Sequence, residues 1–126
     1  MGSKKYSRNR RVVRHLRIRK KVSGTSSSPR LSVFRSNKKI YAQVIDDHQN
    51  KTLVSASSID SNLSSIKDDS GDYTGKCSES YKVGVQIAEK CNKSGISKLV
   101  FDRGGYKFHG RVKALAEGVR NGGVYF

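Results

Sequence analysis

The sequence predicts an α/β (α+β) domain, a mixed sheet in the order βββαβα with helices packed on it, preceded by a basic N-terminal arm. Three observations carry that prediction. Residues 30–58 hold three short strand-like runs separated by turn residues; residues 78–93 and 112–119 repeat apolar side chains at helical spacing; and a short apolar run, residues 96–101, lies between the two helical segments. A chain of 126 residues suffices for one core but not two. It divides as a basic arm, 1–21, a flexible linker, 22–29, and a single globular domain, 30–126.

The arm contains ten Lys or Arg and no acid, so it repels itself when free and is expected to be disordered or a frayed helix until a polyanion neutralises it. Val12 and Leu16, at i and i+4, then offer a small apolar stripe. The linker is Ser-rich and ends at Pro29, which disfavours helix in the residue before it. Residues 30–35 form the first strand, Ser36-Asn37-Lys38-Lys39 a hairpin turn, residues 40–45 the second strand, 46–51 a second turn and 52–58 a third strand. One face of that sheet is apolar and packed; the other shows Tyr41 and Gln43, side chains that suit either RNA or solvent. Residues 60–72 gather four of the ten acids among serines and read as a surface loop. The spacing of Asp68, Asp69 and Asp72 does not match a calcium loop.

Tyr73-Thr74-Gly75 marks a turn before the helix over 78–93, where Gly84 and Ala88 suggest close approach to the sheet and Gly95 is placed to cap the C-terminus. The strand at 96–101 follows a helical crossover from the third strand and is therefore expected to run parallel to a neighbour. The last helix ends near Asn121-Gly122-Gly123. Cys77 and Cys91 on one helix lie ~21 Å apart at about 1.5 Å per residue, too far for a disulfide. That fits a reducing compartment. No apolar run is long enough for a membrane span, and no signal core or obvious cleavage region follows the basic start, so the chain reads as soluble and unexported.

Lys and Arg number 26 against 10 Asp and Glu, a formal net charge of +16, which implies a polyanionic partner. The arm carries +10 of this and the remainder still carries +6. A narrow apolar face without an aromatic anchor argues against a membrane-surface helix or a localisation signal in the arm. The densest functional signal is FDRGGYKFHGR at residues 101–111, a strand-to-helix loop. Arg103, Lys107 and Arg111 suit phosphate, while Tyr106, Phe108 and His109 between them suit bases or sugars. Gly104, Gly105 and Gly110 let backbone approach an anion at the start of the helix. The loop is neither a Walker loop nor a dinucleotide fingerprint. A nuclease built on strands followed by αβα needs clustered carboxylates for metal ions. The first strand offers none, Asp102 stands without an obvious second ligand, and only Asp46 is placed to approach it; Asp102 reads instead as a partner for Arg103, Lys107 or a backbone donor. His15, His48 and His109 form no recognisable triad, and Cys77 reads as a packed or idle thiol. No cofactor, metal site or catalytic residue is assigned.

With these residues placed, the chain resembles the universal large-subunit ribosomal protein L-eighteen family of bacterial and plastid type. The resemblance rests on PRLSVFRS at 29–36, IYAQVID at 40–46, Tyr73-Thr74-Gly75, FDRGGYKFHGRVKALA at 101–116 and the aromatic end Val124-Tyr125-Phe126. The chain departs from the family pattern most at 60–72 and at Gly104. The resemblance implies a non-enzymatic structural protein that binds 5S ribosomal RNA and helps attach it to the large-subunit RNA in the central protuberance, beside neighbouring ribosomal proteins, in the bacterial cytoplasm or plastid stroma. The implied RNA contacts are Arg8, Arg10, Arg11, Arg14, His15, Arg17, Arg19, Lys20 and Lys21 in the arm. Arg30, Arg35, Lys38, Tyr41 and Gln43 are implied on the sheet, Thr74 and Gly75 at the turn, and Arg103, Tyr106, Lys107, His109 and Arg111 in the loop.

Overall fold

A computed structural model describes residues 10–59 and 75–126. Its elements are α1 (Arg10–Lys21), β1 (Arg30–Arg35), β2 (Ile40–Asp46), β3 (Lys51–Ser57), α2 (Gly75–Lys93), β4 (Val100–Asp102) and α3 (Arg111–Asn121). The mixed α/β architecture expected from the sequence is the one observed. Thr74 and the acidic segment 60–72, with its aspartates, lie outside the described residues, as does Arg8.

The four strands lie in the order β3-β2-β1-β4, antiparallel except that β4 runs parallel to β1. Ser36, at the β1–β2 turn, closes it by bonding the Lys39 carbonyl through its N–H, 2.8 Å, and receiving the Lys39 N–H on its hydroxyl, 3.1 Å. Alternation along β2 puts Ile40, Ala42 and Val44 in the core with Leu31 and Val33 of β1. Val83, Ile87 and Cys91 of α2 and Val112, Leu115 and Val119 of α3 close the core from the helical side. The opposite face carries Ser32, Phe34, Tyr41 and Gln43.

β4 is shorter than the apolar run from which it was read. Residues 97–99 pair elsewhere: the Tyr125 N–H donates to the Ser97 carbonyl and the Leu99 N–H to the Tyr125 carbonyl, both at 2.9 Å, so only Val100–Asp102 reach β1. Gly95, with φ +77, ends α2 as expected. The Ile96 N–H bonds to the Cys91 carbonyl and the Gly95 N–H to the Asn92 carbonyl, the paired bonds of a Schellman motif.

Gly84 does not serve the sheet. A Cβ there would stand 2.1 Å from the Leu115 carbonyl oxygen, and one at Gly118 would stand 2.3 Å from the Tyr81 carbonyl oxygen. Reciprocal glycines therefore let α2 and α3 touch backbone to backbone, and the small-residue stripe is a helix–helix seam. Both cysteines lie on α2 and are free. Burial pushes the Cys91 thiol up to about 11, so it packs as a small apolar side chain. Among the described residues no helix is long and apolar enough to cross a membrane.

Candidate nucleic-acid interface

The loop after β4 is built on backbone that only glycine adopts readily, with φ +66 at Gly104 and +80 at Gly105. A Cβ on Gly104 would lie 2.4 Å from the Val33 carbonyl oxygen, and one on Gly105 would lie 2.1 Å from the Arg11 carbonyl oxygen. These two glycines admit protein backbone rather than an anion, which corrects the reading from sequence. Gly110 differs, since nothing lies within 4 Å of the corresponding position, and it precedes α3 with no side-chain cap.

What Gly105 admits is α1. Arg11 donates to the Gly104 carbonyl at 3.0 Å, Arg14 to the Gly105 carbonyl at 2.8 Å, and the His15 ring to the Asp102 carboxylate at 2.9 Å. Positions 11, 14 and 15 form one helical stripe. The arm therefore docks through polar side chains, and Leu16, expected in an apolar stripe, is 51% exposed. Segment 22–29, read as flexible, makes fixed contacts: the Gly24 N–H donates to Asp47 at 2.6 Å, and the Asp47 N–H donates to the Gly24 carbonyl at 3.1 Å.

Beneath the arm lies a knot of charge. Arg30 donates to Asp47 through Nε at 3.0 Å and Nη2 at 3.2 Å, and to Asp102 through Nη1 at 2.7 Å. Burial works against the Arg30 charge, but bonds to the two carboxylates outweigh it and raise its pKa. The Arg30 bonds hold the Asp47 carboxyl down to about 2, helped by the Gly24 N–H and Arg19. Asp102, fully buried, also accepts the Gly104 N–H at 2.9 Å. Its partners are thus Arg30, His15 and a backbone donor, not Arg103 or Lys107. Asp46 faces the core side of β2 and accepts the N–H groups of His48 and Gln49. Asp102 pairs in register with outward Ser32, so the two carboxylates lie on opposite faces of the sheet and cannot share a metal ion.

Between the arm and the glycine loop opens a cleft of 610 Å³ lined by Arg11, Arg14, Phe34, Arg35, Lys107, His109, Gly110 and Arg111, among others. Tyr106 forms its floor. Its hydroxyl both donates to the Arg35 carbonyl and accepts the Arg35 N–H, each at 3.1 Å, while Arg11 and Arg35 stack over its ring at 4.8 and 5.0 Å. Arg103 donates to the Tyr106 carbonyl and staples the loop.

The residues singled out from sequence therefore fall into distinct places. Arg35, Lys107, His109 and Arg111 converge on the cleft, with Arg11 and Arg14 at its arm side. Arg10, Arg17, Lys20 and Lys21 are exposed along α1, Lys38 sits at the hairpin tip, and Tyr41 and Gln43 lie on the open sheet face. Gly75 begins α2 and does not itself line the cleft. Arg30, Tyr106 and His15 are directed into the protein's own contacts, and Arg19 bonds the Val22 carbonyl at 2.8 Å and Asp47. Sequence reasoning passed over Asp47 and Phe34. Phe34 was legible, because outward Tyr41 stands directly opposite it in the hairpin register.

Fold and surface together define a small, strongly basic α/β protein that carries a cationic cleft lined by arginine, lysine and aromatic side chains. Among the described residues no cluster of acids, histidines and cysteines is arranged to hold a metal. The family model described as Ribosomal L18 of archaea, bacteria, mitochondria and chloroplast matches residues 3–126, and the chain belongs to that family. It is 54% identical over 116 residues to large ribosomal subunit protein uL18 of Desulfotalea psychrophila, covering 92% of each chain. It is 55% identical over 125 residues to uL18 of Clostridium kluyveri, covering 98% of each. The rice chloroplast protein uL18c is 53% identical over 92% of this chain and 67% of its own length. The protein is accordingly a non-enzymatic structural constituent of the large ribosomal subunit, in the cytoplasm or plastid stroma.

Proposed function

We propose that the chain binds 5S ribosomal RNA and helps attach it to large-subunit RNA in the central protuberance, beside neighbouring ribosomal proteins. The observation that carries this reading is the convergence of Arg35, Lys107 and Arg111 on one cleft beside a docked cationic helix. Duplex RNA hides its major groove, so recognition falls on phosphates, 2′-hydroxyls and folded shape. Arginine suits phosphate because its planar fork bonds two oxygens at once. In this reading the arm (1–21), the linker (22–29) and the domain (30–126) act as one surface. Arg10, Arg17 and Lys21 on α1 give affinity, and the cleft gives choice of RNA. Arg30, His15, Arg19, Tyr106 and Arg103 hold that surface in shape.

The test is affinity for folded 5S RNA against an unrelated structured RNA of equal length, across a salt series. A preference of about 4 kcal/mol or more that persists at high salt is expected. Changing Arg10, Arg17 and Lys21 together to glutamine lowers the log–log salt slope by roughly two to three, at about 0.9 per phosphate contact on duplex and less on single strands. Arg111→Ala reduces the preference more than it reduces affinity for the unrelated RNA. Equal affinity for both RNAs at every salt concentration overturns the proposal.

A further inference from the structure

We infer that the open face of the sheet holds one unpaired RNA base, stacked on Phe34, with the attached phosphate in the neighbouring cationic cleft. This rests on the RNA-binding reading above and narrows it to a nucleotide-sized site. Phe34 is an aromatic residue left 53% exposed on a strand whose apolar neighbours Leu31 and Val33 are buried. Tyr41 stands opposite it on β2, with ring centroids 6.1 Å apart, and Ser32 stands opposite Gln43 in the next pair on the same face. These four side chains line a shallow cavity of 400 Å³. Its walls supply a flat apolar surface, one amide carrying both donor and acceptor, and hydroxyl groups. That combination matches the face and edge of a nucleobase.

Phe34 also lines the cationic cleft, so the two concavities meet at one ring. The Arg11 guanidinium stands 6.0 Å from that ring's centroid on the cleft side. A nucleotide laid across Phe34 thereby places its base against the sheet and its phosphate among Arg35, Lys107 and Arg111. The base must be unpaired, since a base within a duplex has neither face free. A protein strand is a poorer occupant. β1 and β2 are hydrogen-bonded on both sides in the order β3-β2-β1-β4, which leaves no backbone edge there for strand addition. The adjoining charge is positive, and both nearby carboxylates, Asp47 and Asp102, are bound to Arg30.

Phe34→Leu tests the site, because a half-exposed position accepts leucine without disturbing the core, and Phe34→Tyr retains the ring. Circular dichroism and thermal unfolding establish that both variants fold. Base-specific chemical probing of the complex with 5S RNA is expected to show one unpaired base protected by the wild type and by Phe34→Tyr but reactive with Phe34→Leu. The leucine variant should bind about tenfold more weakly with an unchanged salt slope. The inference is overturned if Phe34→Leu binds within twofold of wild type with the same protection pattern. It is also overturned if that variant binds RNA normally yet fails to enter reconstituted large subunits, since the face then docks a protein. Should the wild type show no preference for 5S RNA, the broader reading falls, and a short unpaired oligoribonucleotide then tests the pocket. Weaker binding by Phe34→Leu than by Phe34→Tyr supports it, and equal binding overturns it.

Discussion

Replacing Asp102 with asparagine removes the charge at the centre of the knot while keeping its volume. The buried carboxylate accepts from Arg30 at 2.7 Å, His15 at 2.9 Å and the Gly104 N–H at 2.9 Å. An asparagine oxygen can keep the Gly104 bond, but its amide hydrogens then face two donors. Breaking one side of a buried ion pair costs about 3–5 kcal/mol. Arg30 retains two bonds to Asp47, so the lower end applies, about 3 kcal/mol. For a domain of this size that is a fall of about 10 °C in Tm. Thermal and urea unfolding at pH 7 give the number, and a double-mutant cycle with Arg30→Met isolates the pair. With Arg30 already removed, Asp102→Asn should cost about 1.5 kcal/mol less than it does alone. A cost below about 1 kcal/mol, or two costs that simply add, would refute the claim that this pair holds β1, the loop and the arm together.

Two further outcomes follow from the same geometry. Gly84→Ala should destabilise by about 2–3 kcal/mol, because a methyl group 2.1 Å from the Leu115 carbonyl oxygen forces α2 and α3 apart; unchanged thermal unfolding would contradict the backbone contact. The Asp47 carboxyl, held at about 2 instead of 3.8, has a lowered folded pKa, so its stabilisation is complete above about pH 4 and is lost as pH falls towards 2. The gap in unfolding free energy between wild type and Asp47→Asn should therefore close over that interval, by about 1–2 kcal/mol after allowance for solvent screening; parallel pH profiles would remove the assignment.

Much of the fold was legible because it is written in local periodicity. The β1–β2 hairpin follows from alternation around a polar turn, and α2 and α3 follow from apolar side chains at helical spacing. The length of β4 was not legible, since it depends on Tyr125 at the far end of the chain claiming residues 97–99. The docking of α1 escaped for a different reason. Its contact stripe is Arg11, Arg14 and His15, and hydrophobic periodicity carries no information about a helix that docks by donating to carbonyls and a carboxylate. The family resemblance implies Arg30 as an RNA contact. Its fork is directed inward by acids 17 and 72 residues away, which no local pattern reveals.

That inward direction answers a question raised by the composition. A chain with a net charge of +16 gains nothing in RNA affinity from carboxylates placed against its cationic arm helix, yet Asp47 and Asp102 lie there, bonded to Arg19 and His15. Both are committed to Arg30 below the surface, and their remaining bonding capacity goes to Gly24, Gly104, His15 and Arg19. The acids thus convert one buried arginine into a bracket that fixes three otherwise separate pieces, the linker, the glycine loop and the arm helix, relative to β1. Arg35, Lys107 and Arg111 remain outside that bracket, lining the cleft. An arm fixed before the partner arrives loses less conformational entropy on binding than an arm that must fold on it. The acids next to the interface therefore favour association by preorganising the cations around them, although their own charge opposes it.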